Sequence, residues 1–76
     1  MTSVSIEYCV PCGFLNRAED IQHALLSQFG EQLDSVALVT GDHGVLRVDV
    51  GGDPVWDKAE DNYDVDEITR RVREKL

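Results

Sequence analysis

Seventy-six residues suffice for one small domain with a modest core, so a single domain spanning 1–76 is expected. Seven Lys and Arg against 15 Asp and Glu give 7 − 15 = −8, a balance that argues against nucleic acid as a partner because phosphates need a basic stripe. No apolar run approaches the about 18 residues of a membrane span, and the chain opens without a charged or apolar leader, so a cytoplasmic, non-membrane protein is expected.

In chain order, Val4, Ile6 and Tyr8 alternate with Ser5 and Glu7, the period of two of a half-buried strand. Phe14, Ala18, Ile21, Leu25 and Phe29 then recur at spacings of three and four, which predicts a helix with one buried face. Gly30 is read as its left-handed stop. Residues 35–40 are short, apolar and β-branched, so a second strand follows, and strand, helix and strand make a right-handed βαβ unit with parallel strands. The turn cluster Gly41-Asp42-His43-Gly44 leads into a strand over 45–50, where Leu46, Val48 and Val50 alternate with Arg47 and Asp49. Gly51-Gly52 then predicts a tight hairpin into 54–57, with Pro54 suited to an edge strand. After a polar loop, Asp64 reads as a helix N-cap and Glu67 as its capping-box partner. Val65, Ile68, Val72 and Leu76 form the apolar face of this last helix, and Arg70, Arg71, Arg73 and Lys75 gather toward its C-terminus, read as a solvated face matched to the dipole.

Only two helices serve a four-stranded sheet, so both are placed on one face, with Ser5, Glu7, Arg47 and Asp49 on the open one. Trp56 has two readings: on the open face, with Val55 in the core, or tucked into the sheet edge.

The chemistry is placed at Cys9-Val10-Pro11-Cys12, which holds both cysteines where strand gives way to helix. A helix N-terminus presents unpaired N–H groups and the positive end of the macrodipole, both of which stabilise a thiolate. With Cys9 as N-cap and Pro11 in the first turn, Cys9 becomes a low-pKa nucleophile toward a disulfide or peroxide, and Cys12 resolves the adduct. Other readings are a structural disulfide, which would close only a tiny loop, and zinc. A zinc site needs four ligands; His23 and His43 lie at spacings unlike common fingers, leaving an all-thiolate site shared by two chains. No metal or cofactor is expected. Asp-rich, Lys-poor composition also points to a halophilic, haloarchaeal source, where molar salt screens self-repulsion.

The sequence resembles the selenoprotein W-like family, also called the Rdx or SelT/SelW/SelH group. Tyr8, Cys9, Cys12, Gly13 and Phe14 match the family's aromatic-Cys-x-x-(Cys or selenocysteine)-Gly-aromatic segment. Val48, Val50, Gly52, Val55 and Lys58 match its hairpin, Val-x-Val-x-Gly-x-x-Val-x-x-Lys. The resemblance implies a thioredoxin-like α/β fold, β-α-β-β-β-α, with mixed sheet order 2-1-3-4. It implies a thiol-dependent redox role in homeostasis or antioxidant defence. The partners expected for this chain are a protein disulfide or low-molecular-weight thiol and a cellular reductase, with the chain a monomer or weak homodimer. The family's selenocysteine position falls on Cys12, whereas the N-cap argument favours Cys9 as the attacking thiol. Pro54 lies in the hairpin and not where thioredoxins carry their cis-proline. A reading from another class is a non-catalytic interaction module or redox switch that binds a protein on its open sheet face.

Overall fold

The computed structural model describes residues 2–76. Its elements are β1 (Thr2–Cys9), α1 (Leu15–Phe29), a single 3₁₀ turn (Gly30–Gln32), β2 (Leu33–Gly41), β3 (Leu46–Val50), β4 (Asp53–Asp57) and α2 (Val65–Lys75). The sheet order is β2-β1-β3-β4, with β1 parallel to β2 and antiparallel to β3, as the resemblance implied. The alternation in β1 works as read: Val4, Ile6 and Tyr8 are buried, and Ser5 and Glu7 are half-buried on the opposite face. Ile6 lies opposite Leu38 on one side and Val48 on the other, which makes β1 the centre of the core.

Both helices lie on the buried face and touch each other. Helix α1 buries Ala18, Ile21, Leu25 and Phe29, and α2 buries Ile68, Thr69 and Val72. Each large aliphatic or aromatic side chain among these gains about 1.5–3 kcal/mol by leaving water. Thr69 belongs on that face because its hydroxyl donates to the Val65 carbonyl at 2.8 Å. Leu76, assigned to the apolar face, lies beyond the end of α2 and is exposed.

Gly30 does not end α1 in a left-handed conformation; its φ is −52°, and the chain tightens into the 3₁₀ turn. The reason is Leu33, which is buried and must reach the core at once, so β2 starts earlier than its β-branched run suggests. Thr2 pairs with Leu33 and Ser3 with Ser35, which leaves Asp34 as the extra residue of a bulge.

The Gly51-Gly52 hairpin forms with φ of 58° and 89°, values that favour glycine, and Pro54 sits on the edge strand β4. Val48 pairs with Trp56 but Asp49 pairs with Pro54, so Val55 is an extra residue and the alternation slips by one. That slip turns Trp56 into the core at 1% exposure, edge-on to Tyr63 at 6.2 Å. Trp56 on the open face is therefore corrected.

The Asp64 carboxylate caps α2, accepting from the N–H groups of Asp66 at 3.0 Å and Glu67 at 3.3 Å. Glu67 does not complete a capping box. Its carboxylate is drawn down the helix to Arg71, whose Nε lies 2.8 Å away, and to Arg70. Arg71 also reaches Asp61 at 3.0 Å and donates to the Val55 carbonyl of β4 at 3.2 Å. On the other edge strand, Gln22 Nε2 donates to the Val36 carbonyl of β2 at 2.7 Å. Side chains from both helices thus occupy backbone acceptors on both sheet edges, which blunts pairing with another strand. The open face is not apolar: Arg47 sits 3.4 Å from Glu7 and 3.1 Å from Asp49 through Nε, an ion pair off the best hydrogen-bond angle. Among the described residues, no helix is long and apolar enough to cross a membrane.

Candidate active site

Cys9 is the last residue of the central strand. It lies opposite Gly41 of β2, and its N–H donates to the Val45 carbonyl at 2.7 Å, so β2 and the residue just before β3 hold it extended. The next residue is also tied across the sheet, Val10 N–H donating to the Gly41 carbonyl at 3.1 Å. The chain then reverses in a β-turn closed by the Gly13 N–H on the Val10 carbonyl at 3.1 Å, with Pro11 and Cys12 at its two central positions. Proline suits the first of these because its fixed φ already has the needed value. Gly13 follows with φ of 76°, a left-handed conformation that costs a residue bearing a Cβ about 1–2 kcal/mol.

Helix α1 starts only after this turn, with Phe14 at its N-cap and no side chain capping it. The placement of Cys9 as N-cap and Pro11 in the first helical turn is thus overturned. Pairing to Val45 and Gly41 keeps Cys9 in the strand, and Pro11 opens a β-turn instead. Cys9 is 0% exposed, whereas Cys12 stands exposed on the turn. The two form a disulfide with a Cα–Cα separation of 5.3 Å. That spacing is ordinary for disulfides, whose Cα atoms lie about 4.4–6.8 Å apart.

Around Cys12 the surface is apolar and cationic. Val10 is 51% and Leu15 44% exposed, and Phe14 is half-buried between them and the core. The Arg17 guanidinium lies 5.1 Å from the Phe14 ring centre and 5.2 Å from that of Tyr63. Lys58 Nζ lies 5.5 Å from the Phe14 ring on a separate approach from the hairpin. Lys58 reaches this place because its N–H donates to the Leu46 carbonyl at 2.9 Å, and Leu46 is the register partner of Tyr8. Burial pushes the Tyr63 phenol above its usual range, with Asp20 adding to the effect and Arg17 opposing it.

Sequence reasoning missed Arg17 and Tyr63 and met Lys58 only through the hairpin resemblance. Arg17 was within reach, since three residues on from Phe14 puts it on the same side of a helix. Tyr63 comes from the loop before α2, and nothing local announces it. His23 is exposed on α1, and His43 caps the β2–β3 turn with Nδ1 2.6 Å from the Asp42 carboxylate. Neither joins the cysteines: among the described residues, no three His, Cys, Asp or Glu side chains gather to hold a metal ion. A groove of about 340 Å³ lies between β4 and α2, lined by Trp56, Asp61 and Arg71, and does not reach the cysteines.

The fold recurs in solved proteins. A crystal structure of a protein from Bordetella parapertussis superimposes with a TM-score of 0.92 at 38% identity, covering 99% of this chain and 98% of that one. A selenoprotein W-related protein from Vibrio cholerae shares the fold with a TM-score of 0.89 at 24% identity, covering 97% and 95%. No curated protein matches the sequence. The family model of the Rdx family matches residues 3–74, nearly the whole chain, and the protein belongs to the Rdx family.

Proposed function

We propose that this protein is a cytoplasmic thiol-disulfide redox protein that cycles between dithiol and disulfide at Cys9 and Cys12, in redox homeostasis or antioxidant defence. The observation that carries this reading is the pairing of one exposed and one buried sulfur, already within bonding distance, at the end of the central strand. Exposure supports a division of roles. The Cys12 thiolate attacks one sulfur of a substrate disulfide, forming a mixed disulfide and releasing the first thiolate. Cys9, whose only accessible electrophile is the Cys12 sulfur, then attacks it. The second substrate thiolate leaves, and the Cys9–Cys12 bond forms.

This order reverses the one drawn from the N-cap argument and agrees with the family's selenocysteine position. The positive end of α1 begins three residues after Cys12, and its first-turn N–H groups have no side-chain cap, an arrangement that favours a thiolate beside it. A cellular dithiol reductant returns the pair to its reduced state. The test is equilibration of the pure protein with graded thiol-disulfide buffers, followed by turnover of a small disulfide. A reversible two-electron couple between about −270 and −120 mV is expected. A pair that never forms the bond, or a reduced protein that transfers no electrons to any disulfide or peroxide, would overturn the proposal.

A further inference from the structure

We infer that Arg17 and Lys58 make the mouth of this site selective for anionic disulfides, those carrying a carboxylate near the sulfur. The inference rests on the redox reading above and names the substrate class that reading leaves open. It starts from where the few cations of a chain with net charge −8 are found. Arg47 is bound to Glu7 and Asp49, Arg70 to Glu67 and Glu74, and Arg71 to Asp61 and Glu67. Arg73 lies over Phe29, at the far end of α1 from the cysteines, and Lys75 follows it on the last turn of α2.

That leaves Arg17 and Lys58, and both lie against the ring of Phe14, two residues after Cys12. Among the described residues neither is ion-paired. They come from different parts of the chain, one from the first turn of α1 and one from the end of the hairpin. Asp20 acts on the same Tyr63 ring that Arg17 covers without forming an ion pair with it, and Asp57 Oδ1 accepts from the Ala59 N–H at 2.9 Å. Aromatic faces hold both cations without quenching their charge, because ring and cation attract through the quadrupole. The result is two cations free of ion pairs on the Phe14 ring, two residues after the exposed Cys12, in a chain of net charge −8.

An anionic disulfide docks its carboxylate there, and the sulfur next to it comes within reach of Cys12. Cys12 takes that sulfur, and the other half leaves as a thiolate. Cys9 then closes the protein disulfide, giving up its proton, and the bound half departs as the second thiolate. One substrate disulfide is reduced to two thiols, and one protein dithiol is oxidised to a disulfide.

The test uses reduced full-length protein in single turnover at low ionic strength with three probes: dithiodiglycolate as the dianion, hydroxyethyl disulfide as the neutral compound and cystamine as the dication. Dividing each rate by that for hydroxyethyl disulfide removes changes in thiol reactivity. The parental anion-to-neutral ratio should fall about fivefold in the double variant Arg17→Gln/Lys58→Gln, and the cation-to-neutral ratio should rise. Arg17→Lys should keep the parental ratio, since charge and not guanidinium shape is at issue. Raising the salt should reduce the anion preference in the parent. Ratios unchanged by the double variant overturn the selectivity while leaving the redox reading in place. Failure of all three disulfides to react overturns both.

Discussion

The division of labour between the two cysteines can be measured one sulfur at a time. Cys9→Ser leaves only the exposed sulfur and Cys12→Ser only the buried one. For a reagent to reach Cys9, the end of β1 must open. That breaks the hydrogen bonds from Cys9 N–H to Val45 and from Val10 N–H to Gly41, each worth about 1 kcal/mol net. It also exposes a side chain that is 0% accessible, which costs about 1 kcal/mol more. The sum is about 3 kcal/mol, and with a factor of ten for each 1.4 kcal/mol the open form is populated at about one part in 10². Iodoacetamide should therefore alkylate the Cys9→Ser chain about 100-fold faster than the Cys12→Ser chain at neutral pH, read by intact-protein mass spectrometry. The same Cys9→Ser chain alone should form a stable mixed disulfide with a small-molecule disulfide, releasing one thiol. Equal rates, or faster labelling of the chain that retains Cys9, would refute the assignment of Cys12 as the attacking sulfur.

Other consequences follow from the ion pairs, the helix cap and the net charge. Hydrogen bonds from Arg70 and Arg71 hold the Glu67 carboxyl down at about 2, from an ordinary 4.5, and the Arg71 hydrogen bond likewise lowers that of Asp61. A carboxylate depressed in the folded state stabilises above its unfolded pKa, so this contribution is whole above pH 4.5 and lost as pH falls toward 2. Trp56 fluorescence, read beside Asp61 and Arg71, should report loosening in that window, and Glu67→Gln should flatten it. Asp64→Ala removes the α2 cap and should cost about 1 kcal/mol, or about 4–8 °C of melting temperature in a domain of this size; an unchanged melting temperature would mean that α2 holds its start by packing alone. The net charge of −8 repels itself at low salt, so the melting temperature should climb as the Debye length shrinks from about 30 Å to about 3 Å. Full stability in dilute buffer, with no gain at molar salt, would remove the halophilic reading.

What could be read from the sequence was whatever short-range periodicity encodes. Alternation located β1 and β3, the spacing of Ala18, Ile21, Leu25 and Phe29 located α1, and the two glycines located the hairpin, because each pattern records which side of one element leaves water. The errors share a cause. Pro11 fits the first turn of a helix and the second position of a β-turn equally well, and Gly41 of β2 and Val45 just before β3, which decide between them, are far off in the sequence. Trp56 was misplaced by one inserted residue, Val55, since a single bulge exchanges the two faces of a strand and leaves no local mark. The cysteine pair was legible, but which sulfur faces solvent was not, because β2 and the residue before β3 grip Cys9 while the turn carries Cys12 outward. Lys58 makes the same case from the other direction. Its charge is plain in the sequence, yet only the hairpin register and the bond to Leu46 bring it beside a helix that starts at Leu15. The cysteine pair is named by a local motif, whereas the burial of Cys9 and the approach of Lys58 to Phe14 come from contacts between distant segments.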